Sequence, residues 1–403
     1  MKGKIRSSAA LSWPLNLSAG IMLVIAFVAL ALLCVPSMAQ EETVDYWMDR
    51  AQELVVNESY EEALRAYDSA MEFYPEDARI WMGKGDTQMR MGDYDESLAT
   101  YENALDLINE SLEANPLDAE GWFVKGELLD RLYRYDEALE SYNTSLEIDP
   151  TDKEAWFEKG NALYAAASQM QGPERIKAFE DAIIAYDEAI KIDPDYGNAW
   201  MKKGYSLDSL AVFNENLSTY DESLKAFDRA IELIADNDTN NLALAWDGRG
   251  IALMGMGNAL EDAGRQDEAR ASREEALESY ERAIVLDQSF TTGFEARLYK
   301  AGVLAELGRY NESIDAFDKL IELIETSPAD YTLFAAVVLT NKGMVLEMMG
   351  DYEGAIIAFD RALELDPSNM YVMQEKGAAL QSLGRISEAE AAFVKAKELG
   401  YEA

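Results

Sequence analysis

The sequence predicts an all-α protein in which one helix hairpin is repeated along the chain. Two features of spacing carry the prediction. Six tryptophans, Trp47, Trp81, Trp122, Trp156, Trp200 and Trp246, each precede a small residue by four positions: Ala51, Gly85, Gly126, Gly160, Gly204 and Gly250. Downstream of each comes an Ala or Ser, an aromatic four residues on, and another small residue three further. Residues four and three apart share a helix face, so each unit reads as two helices with complementary stripes. In such an array each unit packs on its neighbours, so 403 residues need not divide into globular domains.

The third unit is the most regular, with Trp122, Gly126, Tyr135, Ala138, Tyr142, Ser145 and Pro150. Trp122 and Gly126 fall on one face of a first helix, helix A. Ala138, Tyr142 and Ser145 fall on one face of a second, helix B. The small residues let the two backbones approach, and Trp122 and Tyr142 fill the wedge between neighbouring hairpins. Pro150 ends helix B, because its ring and missing N–H do not fit a helix interior. The same marks place the other units, from Trp47 to Pro75, Trp81 to Pro116, Trp156 to Pro194, Trp200 to Ala230 and Trp246 to Ala283. The seventh is irregular (Ala301, Tyr310, Ser313, Phe317). The eighth has Leu339, Gly343 and Phe359, and the ninth Met373, Gly377 and Phe393. In these last three, aliphatic or basic residues replace Trp.

These residues resemble the tetratricopeptide repeat family, whose unit carries a W-x2-L-G-x2-Y…A-x3-F…P pattern. The resemblance covers residues 40–403 and implies a right-handed superhelical solenoid of about nine hairpins, of an exported prokaryotic type. It implies a concave groove lined by helix A positions one, five and eight residues after the Trp. Here these are Met82, Asp86 and Met89; Phe123, Glu127 and Asp130; Phe157, Asn161 and Tyr164; Met201, Tyr205 and Asp208. Relatives that clamp a terminal carboxylate use Lys, Arg and Asn there. Only Asn161, Lys125 and Lys202 could contribute to such a clamp, among opposing acids. The mixture of Met, aromatic and acidic residues fits a basic or amphipathic partner segment instead; the same side chains at helical spacing also suit plain packing between A helices.

Insertions fall at 104–116, 165–178, 207–220 and 255–272. The second and fifth units gain about seven residues and the sixth about fourteen, close to two and four helical turns, so these three return the apolar stripe to its own face; the fourth, at 165–178, gains about ten. They predict longer, protruding helix hairpins rather than loops, with Gly172-Pro173 at a turn.

Residues 1–39 read as an address. Lys2, Lys4 and Arg6 precede an apolar run, Ile21 to Val35, and Ser37-Met38-Ala39 offers a cleavage site. Leu17 to Val35 is also nearly long enough for an uncleaved membrane anchor. Either reading places the acidic bulk outside, at the cell surface or beyond, with the membrane touched only through this segment. Asn-x-Ser/Thr sequons at Asn57, Asn109, Asn143, Asn216, Asn237 and Asn311 suit a glycosylated exterior protein and also arise by chance in a polar chain.

Composition narrows the chemistry. There is no histidine, and the one cysteine, Cys34, lies in the apolar run. Cys–His and Ser–His–Asp nucleophiles, His or Cys metal sites and redox motifs are therefore excluded beyond residue 39. No catalytic residue, metal ligand or cofactor is expected. The net charge is −41, and setting aside Lys2, Lys4 and Arg6 leaves about −44 on the rest. That field repels nucleic acid. Asp236 to Asp247 has partial calcium-loop spacing, but Asn241 stands where Gly belongs and Asp247 where Glu belongs, so a polar inter-repeat loop is expected. The sequence thus points to a binding scaffold for a protein or peptide, or to a self-associating component of a cell-surface layer.

Overall fold

The computed structural model describes residues 43–214, 216–287, 290–327 and 331–401. The expected signal or anchor segment and its cleavage site lie outside the described residues. Those described hold eighteen α-helices in nine hairpins. They are α1 (Val44–Val56), α2 (Tyr60–Phe73), α3 (Ala78–Met91), α4 (Tyr94–Ala114), α5 (Ala119–Arg131), α6 (Tyr135–Ile148), α7 (Lys153–Gln169), α8 (Gly172–Ile192) and α9 (Gly197–Asn214). There follow α10 (Leu217–Leu233), α11 (Thr239–Asp262), α12 (Gln266–Leu286), α13 (Phe290–Glu306), α14 (Tyr310–Glu325), α15 (Thr332–Met348), α16 (Tyr352–Leu365), α17 (Met370–Ser382) and α18 (Ile386–Glu398). Odd-numbered helices are A and even-numbered helices B. The fold is an all-α solenoid. It has two compact units, one up to Glu110 and one from Ser111.

Local chemistry sets the helix ends. Asp77, Asp118, Asp152, Asp238 and Asn369 cap A helices by accepting first-turn backbone N–H groups. Pro75, Pro150 and Pro367 each follow helix B by two residues, and the residue before each prolyl ring leaves helical geometry. Most turns from A to B carry a residue with positive φ, such as Gly92 at 86° and Tyr133 at 59°. That conformation suits Gly92 and strains Tyr133.

Seven of the nine hairpins close on one contact, a glycine of helix A against a ring of helix B; the first and seventh have Ala51 and Ala301 at that position. In the second unit from Ser111 onward, a Cβ built on Gly126 would stand 2.6 Å from Tyr142 Cε1, and one on Gly160 2.5 Å from Tyr186 Cε1. Gly204 faces Phe227, Gly250 faces Tyr280, Gly343 faces Phe359 and Gly377 faces Phe393 in the same way. In the first unit Gly85 faces Tyr101. The glycine therefore makes room for the helix B ring, not for the tryptophan. Ser97, Ser223 and Ser313 add a bond across the hairpin, donating to the carbonyls of Gly85, Gly204 and Ala301 at 2.7–2.9 Å.

The tryptophans are half-buried, and Trp200 and Trp246 each pack against the buried clusters of two adjoining repeats. Trp122, Trp156 and Trp200 each donate Nε1–H to the carbonyl of Pro116, Pro150 and Pro194, six residues earlier, at 3.0–3.1 Å. Trp81 does the same to Pro75. Each ties the start of helix A to the turn that precedes it. Lys125, Lys159 and Lys203 lie over the rings of Trp122, Trp156 and Trp200. At the same repeat position Lys203 pairs with Asp187 and Arg249 with Asp228, across to the preceding helix B. Lys342–Asp318 and Lys376–Asp360 keep this pairing after tryptophan is lost.

The inserted residues are mostly helical. Residues 104–116 lengthen α4 alone, to 21 residues, so no protruding pair forms there. The other insertions lengthen both helices of a hairpin, and α11 and α12 reach 24 and 21 residues. Pro173 stands in the first turn of α8. The longer hairpins lie side by side. Phe179 of α8 stacks on Phe213 of α9. A Cβ on Gly255 of α11 would meet Tyr220 of α10 at 2.6 Å. Arg273 of α12 is buried and bridges Glu261 of α11 and Glu306 of α13 at 2.5 and 2.7 Å.

Replacing Trp122 by Phe keeps a ring and removes the donor to Pro116. We expect a loss of about 1 kcal/mol in denaturant unfolding. Trp246→Phe, with no proline six residues before it, should cost less; equal costs would remove the tie from the account.

The A-helix face as candidate functional site

Among the described residues from Ser111 onward, each A helix packs against the A helix of the next repeat, from α5 through to α17. Successive B helices make no such contact. The A helices therefore form the crowded inner layer, and positions one, five and eight after the Trp lie near their mutual contacts.

This crowding sorts the expected groove residues. Met201 is 2% exposed and Phe157 9%, so both are core rather than lining. Phe157 packs on the rings of Tyr186 and Tyr196. Phe123 is half-buried and tilts on Tyr142. Tyr164 lies against Phe179, its hydroxyl 3.3 Å from Ser209 Oγ. Tyr205 lies edge-on to Phe227 and donates to the Leu244 carbonyl at 2.7 Å. Asn161 accepts from the Tyr186 hydroxyl and donates to Glu158. Glu127 pairs with Arg131 at 3.5 Å. In the first unit, Asp86 accepts from the Tyr101 hydroxyl at 2.6 Å, while Met82 and Met89 are half-buried.

The carboxylates are the unusual feature. Asp130, Asp208 and Asp247 each have a buried Oδ1 with no hydrogen-bond partner. Burial, helped by Glu158 and opposed by Arg131, pushes Asp130 up to about 6. Burial alone pushes Asp208 up to about 7. Burial and then Glu295 push Asp247 up to about 7. Glu158 is raised mainly by burial, although Asn161 and Arg131 oppose the rise. Lys202, held down by burial, is offset by Glu158. With Asn161 spent on Tyr186 and Glu158, and Lys125 over Trp122, the residues of a carboxylate clamp are engaged elsewhere.

Asp247 and Glu158 were missed in the sequence as acids drawn in among the A helices. An acid at the position one after Trp246, where other units have Met82, Phe123, Phe157 and Met201, was a usable signal for Asp247. Helix α11 begins at Thr239, so Asp236 to Asp247 is no calcium loop, and Asp238 instead caps that helix. No group of three potential metal-ligating side chains occurs among the described residues.

Sequence models described as tetratricopeptide repeat match residues 44–87, 76–151, 294–368 and 340–400, together just over half of the chain. The chain belongs to the tetratricopeptide repeat family. Residues 152–293, between these matches, hold the longest hairpins. The chain is also similar to Hsp70-Hsp90 organizing protein 1 of Arabidopsis thaliana, 37% identical over 94 residues. That match spans 22% of this chain and only 16% of the relative. Two crystal structures of MamA align at 24% identity with TM-scores of 0.33 and 0.34. They cover 49% and 52% of this chain and 95% and 94% of their own.

Asp208 and Asp247 make a pH prediction. Their folded-state pKa values lie above the unfolded value near 3.8, so folding favours the protonated form. Their contribution is fullest below about 4 and is lost as pH rises through about 7. Each amounts to at most roughly 4 kcal/mol. Asp208→Asn and Asp247→Asn should raise Tm by several degrees at pH 8 and by little at pH 4. A gain independent of pH in thermal unfolding would contradict the burial argument.

Proposed function

We propose that the array is a protein-interaction scaffold, placed outside the cell, that holds a basic or amphipathic segment of a partner along its A-helix face. The observation that carries this reading is the row of buried or half-buried acids on one layer of helices, three of them with a buried carboxylate oxygen that no hydrogen-bond donor reaches, interleaved with aromatic and Met side chains. Such a surface attracts cations and offers apolar area once they arrive. Similarity to a protein named as an organizer of Hsp70 and Hsp90 supports a role in holding other proteins. No enzymatic activity is assigned.

Export is proposed from the basic, apolar and small-residue order of residues 1–39. Sequons at Asn57, Asn216 and Asn237 lie exposed at helix ends or turns, as a glycan requires. Those at Asn143 and Asn311 have another origin in packing: Ser145 and Ser313 are buried repeat residues bonded to carbonyls of helix A.

Self-association is the second reading. Leu333, Val337, Met344 and Met348 form an exposed apolar stripe on one face of α15.

Photo-crosslinking residues at Phe123 and Tyr164 on A helices, and at Ile184 and Val285 on B helices, separate these readings when the chain meets cell-surface proteins. The scaffold reading expects one partner captured from the A positions alone. Equal capture from both faces would sink it. Crosslinks between copies of this chain, with light scattering that grows with concentration, would favour self-association.

A further inference from the structure

The seventh repeat lacks a tryptophan, and its register shows what stands in that place. Lys300 pairs with Glu281 at 2.9 Å. Lys203 and Arg249, each three residues past a tryptophan, pair in the same way with Asp187 and Asp228, each one residue past the ring of the preceding helix B. Glu281 likewise follows Tyr280, so the tryptophan position of α13 is Arg297. The Arg297 guanidinium turns back against Gly293, toward the start of its helix. A cleft of about 530 Å³ opens beside it, walled by α12 and α14 with α13 between them. Ile284 and Leu304 line it. The residues at the same offsets one repeat earlier are Ile231 and Leu253, and both belong to the apolar clusters that Trp246 joins. The cleft therefore occupies the slot that an indole fills in the sixth repeat.

The lining suits one chemistry. Its floor is apolar, with Leu304 and Leu320 buried. Its mouth is basic, with Arg309 and Lys319 exposed. Four cations, Arg297, Lys300, Arg309 and Lys319, line it against three acids, Glu281, Glu312 and Asp315, on a chain whose net charge is −41. Lys300 is half-buried and stands at the position from which Lys125, Lys159 and Lys203 lie 4.8–5.3 Å from the centroids of tryptophan rings. A cation so placed attracts the face of an aromatic ring. The volume falls within the roughly 300–1,000 Å³ of small-molecule sites. The eighth repeat, with Leu339 at the tryptophan position, has a cleft of about 360 Å³ there, but Glu325 and Glu364 outnumber Arg361 in its lining. Only the cleft at Arg297, of these two, has the charge to hold an anion.

We propose that the cleft at Arg297 binds a small planar aromatic carboxylate, its ring in the place of the missing indole and its carboxylate toward Arg309 and Lys319 at the mouth. The site opens between B helices and stands apart from the A-helix face, so it does not rest on the scaffold reading.

The test titrates the full chain, by NMR, with indole-3-acetate, cyclohexylacetate and tryptamine. Cyclohexylacetate keeps the charge and removes the aromatic face; tryptamine keeps the ring and reverses the charge. Indole-3-acetate should bind at least tenfold more tightly than either. Arg297→Trp restores the repeat's own indole, and should raise Tm while weakening indole-3-acetate at least tenfold. Lys300→Gln should weaken it at least threefold, whereas Lys203→Gln, beside a slot that Trp200 already fills, should change it less than twofold. Should Arg297→Trp fail to fold, the comparison of the two lysine variants decides. Absence of saturable binding, or binding unchanged by Arg297→Trp or by Lys300→Gln, would overturn the site. Cyclohexylacetate binding as tightly would overturn the aromatic ring, and tryptamine binding as tightly would overturn the carboxylate. An acetylated, amidated Asp-Trp dipeptide that binds more tightly than indole-3-acetate would overturn the small molecule in favour of a protein segment.

Discussion

The architecture depends on a close approach: a glycine on helix A against an aromatic ring on helix B of the same hairpin. At Gly160 and Tyr186 no room exists for even one methyl group. The contact sets the distance between the two helices, and the distance sets which residues can follow. It explains the small residues at Ala138 and Ala182 and the serines that bond across to helix A. It also explains why the tryptophan can be lost after Trp246 while the hairpins persist. In the eighth and ninth repeats the pairs Gly343–Phe359 and Gly377–Phe393 remain. The tryptophan belongs to a different joint, between one turn and the next helix, where a lysine–carboxylate pair offers a second tie.

The fold was legible because its determinants are periodic and local. The marks at Gly126, Ala138, Tyr142 and Pro150 recur along the chain, and each acts within its own hairpin or turn. The partner of Gly126 was not legible for the same reason. Spacing shows that Trp122 and Gly126 share a face, but it does not show that the ring of Tyr142 occupies the space over the glycine. The insertions were legible as helix, since their lengths preserve the stripe. The contact of neighbouring long hairpins, as between Phe179 and Phe213, was not, because it joins residues of different repeats.

The candidate site was only partly legible. Phe123, Tyr164 and Tyr205 stay half-buried on the A helices. Met201 and Phe157 sink into the core because the next A helix closes over them. That closure also gives Asp208 and Asp247 their character, since an aspartate is ordinary on a free helix face and costly under a neighbouring helix. Burial is a property of the stack, so no single unit announces it. The net charge of −41 hides the point further, because the great majority of the chain's acids simply face water.

The most direct test of the central contact is a double-mutant cycle at Gly160 and Tyr186, read by equilibrium unfolding. Helix propensity alone makes Ala better than Gly by about 1 kcal/mol. The packing account predicts the opposite sign: Gly160→Ala should destabilise by roughly 1–3 kcal/mol. With Tyr186→Leu in place, the same substitution should become nearly neutral, giving a coupling above about 1 kcal/mol. A Gly160→Ala protein as stable as wild type or more so, with no coupling to residue 186, would contradict the account.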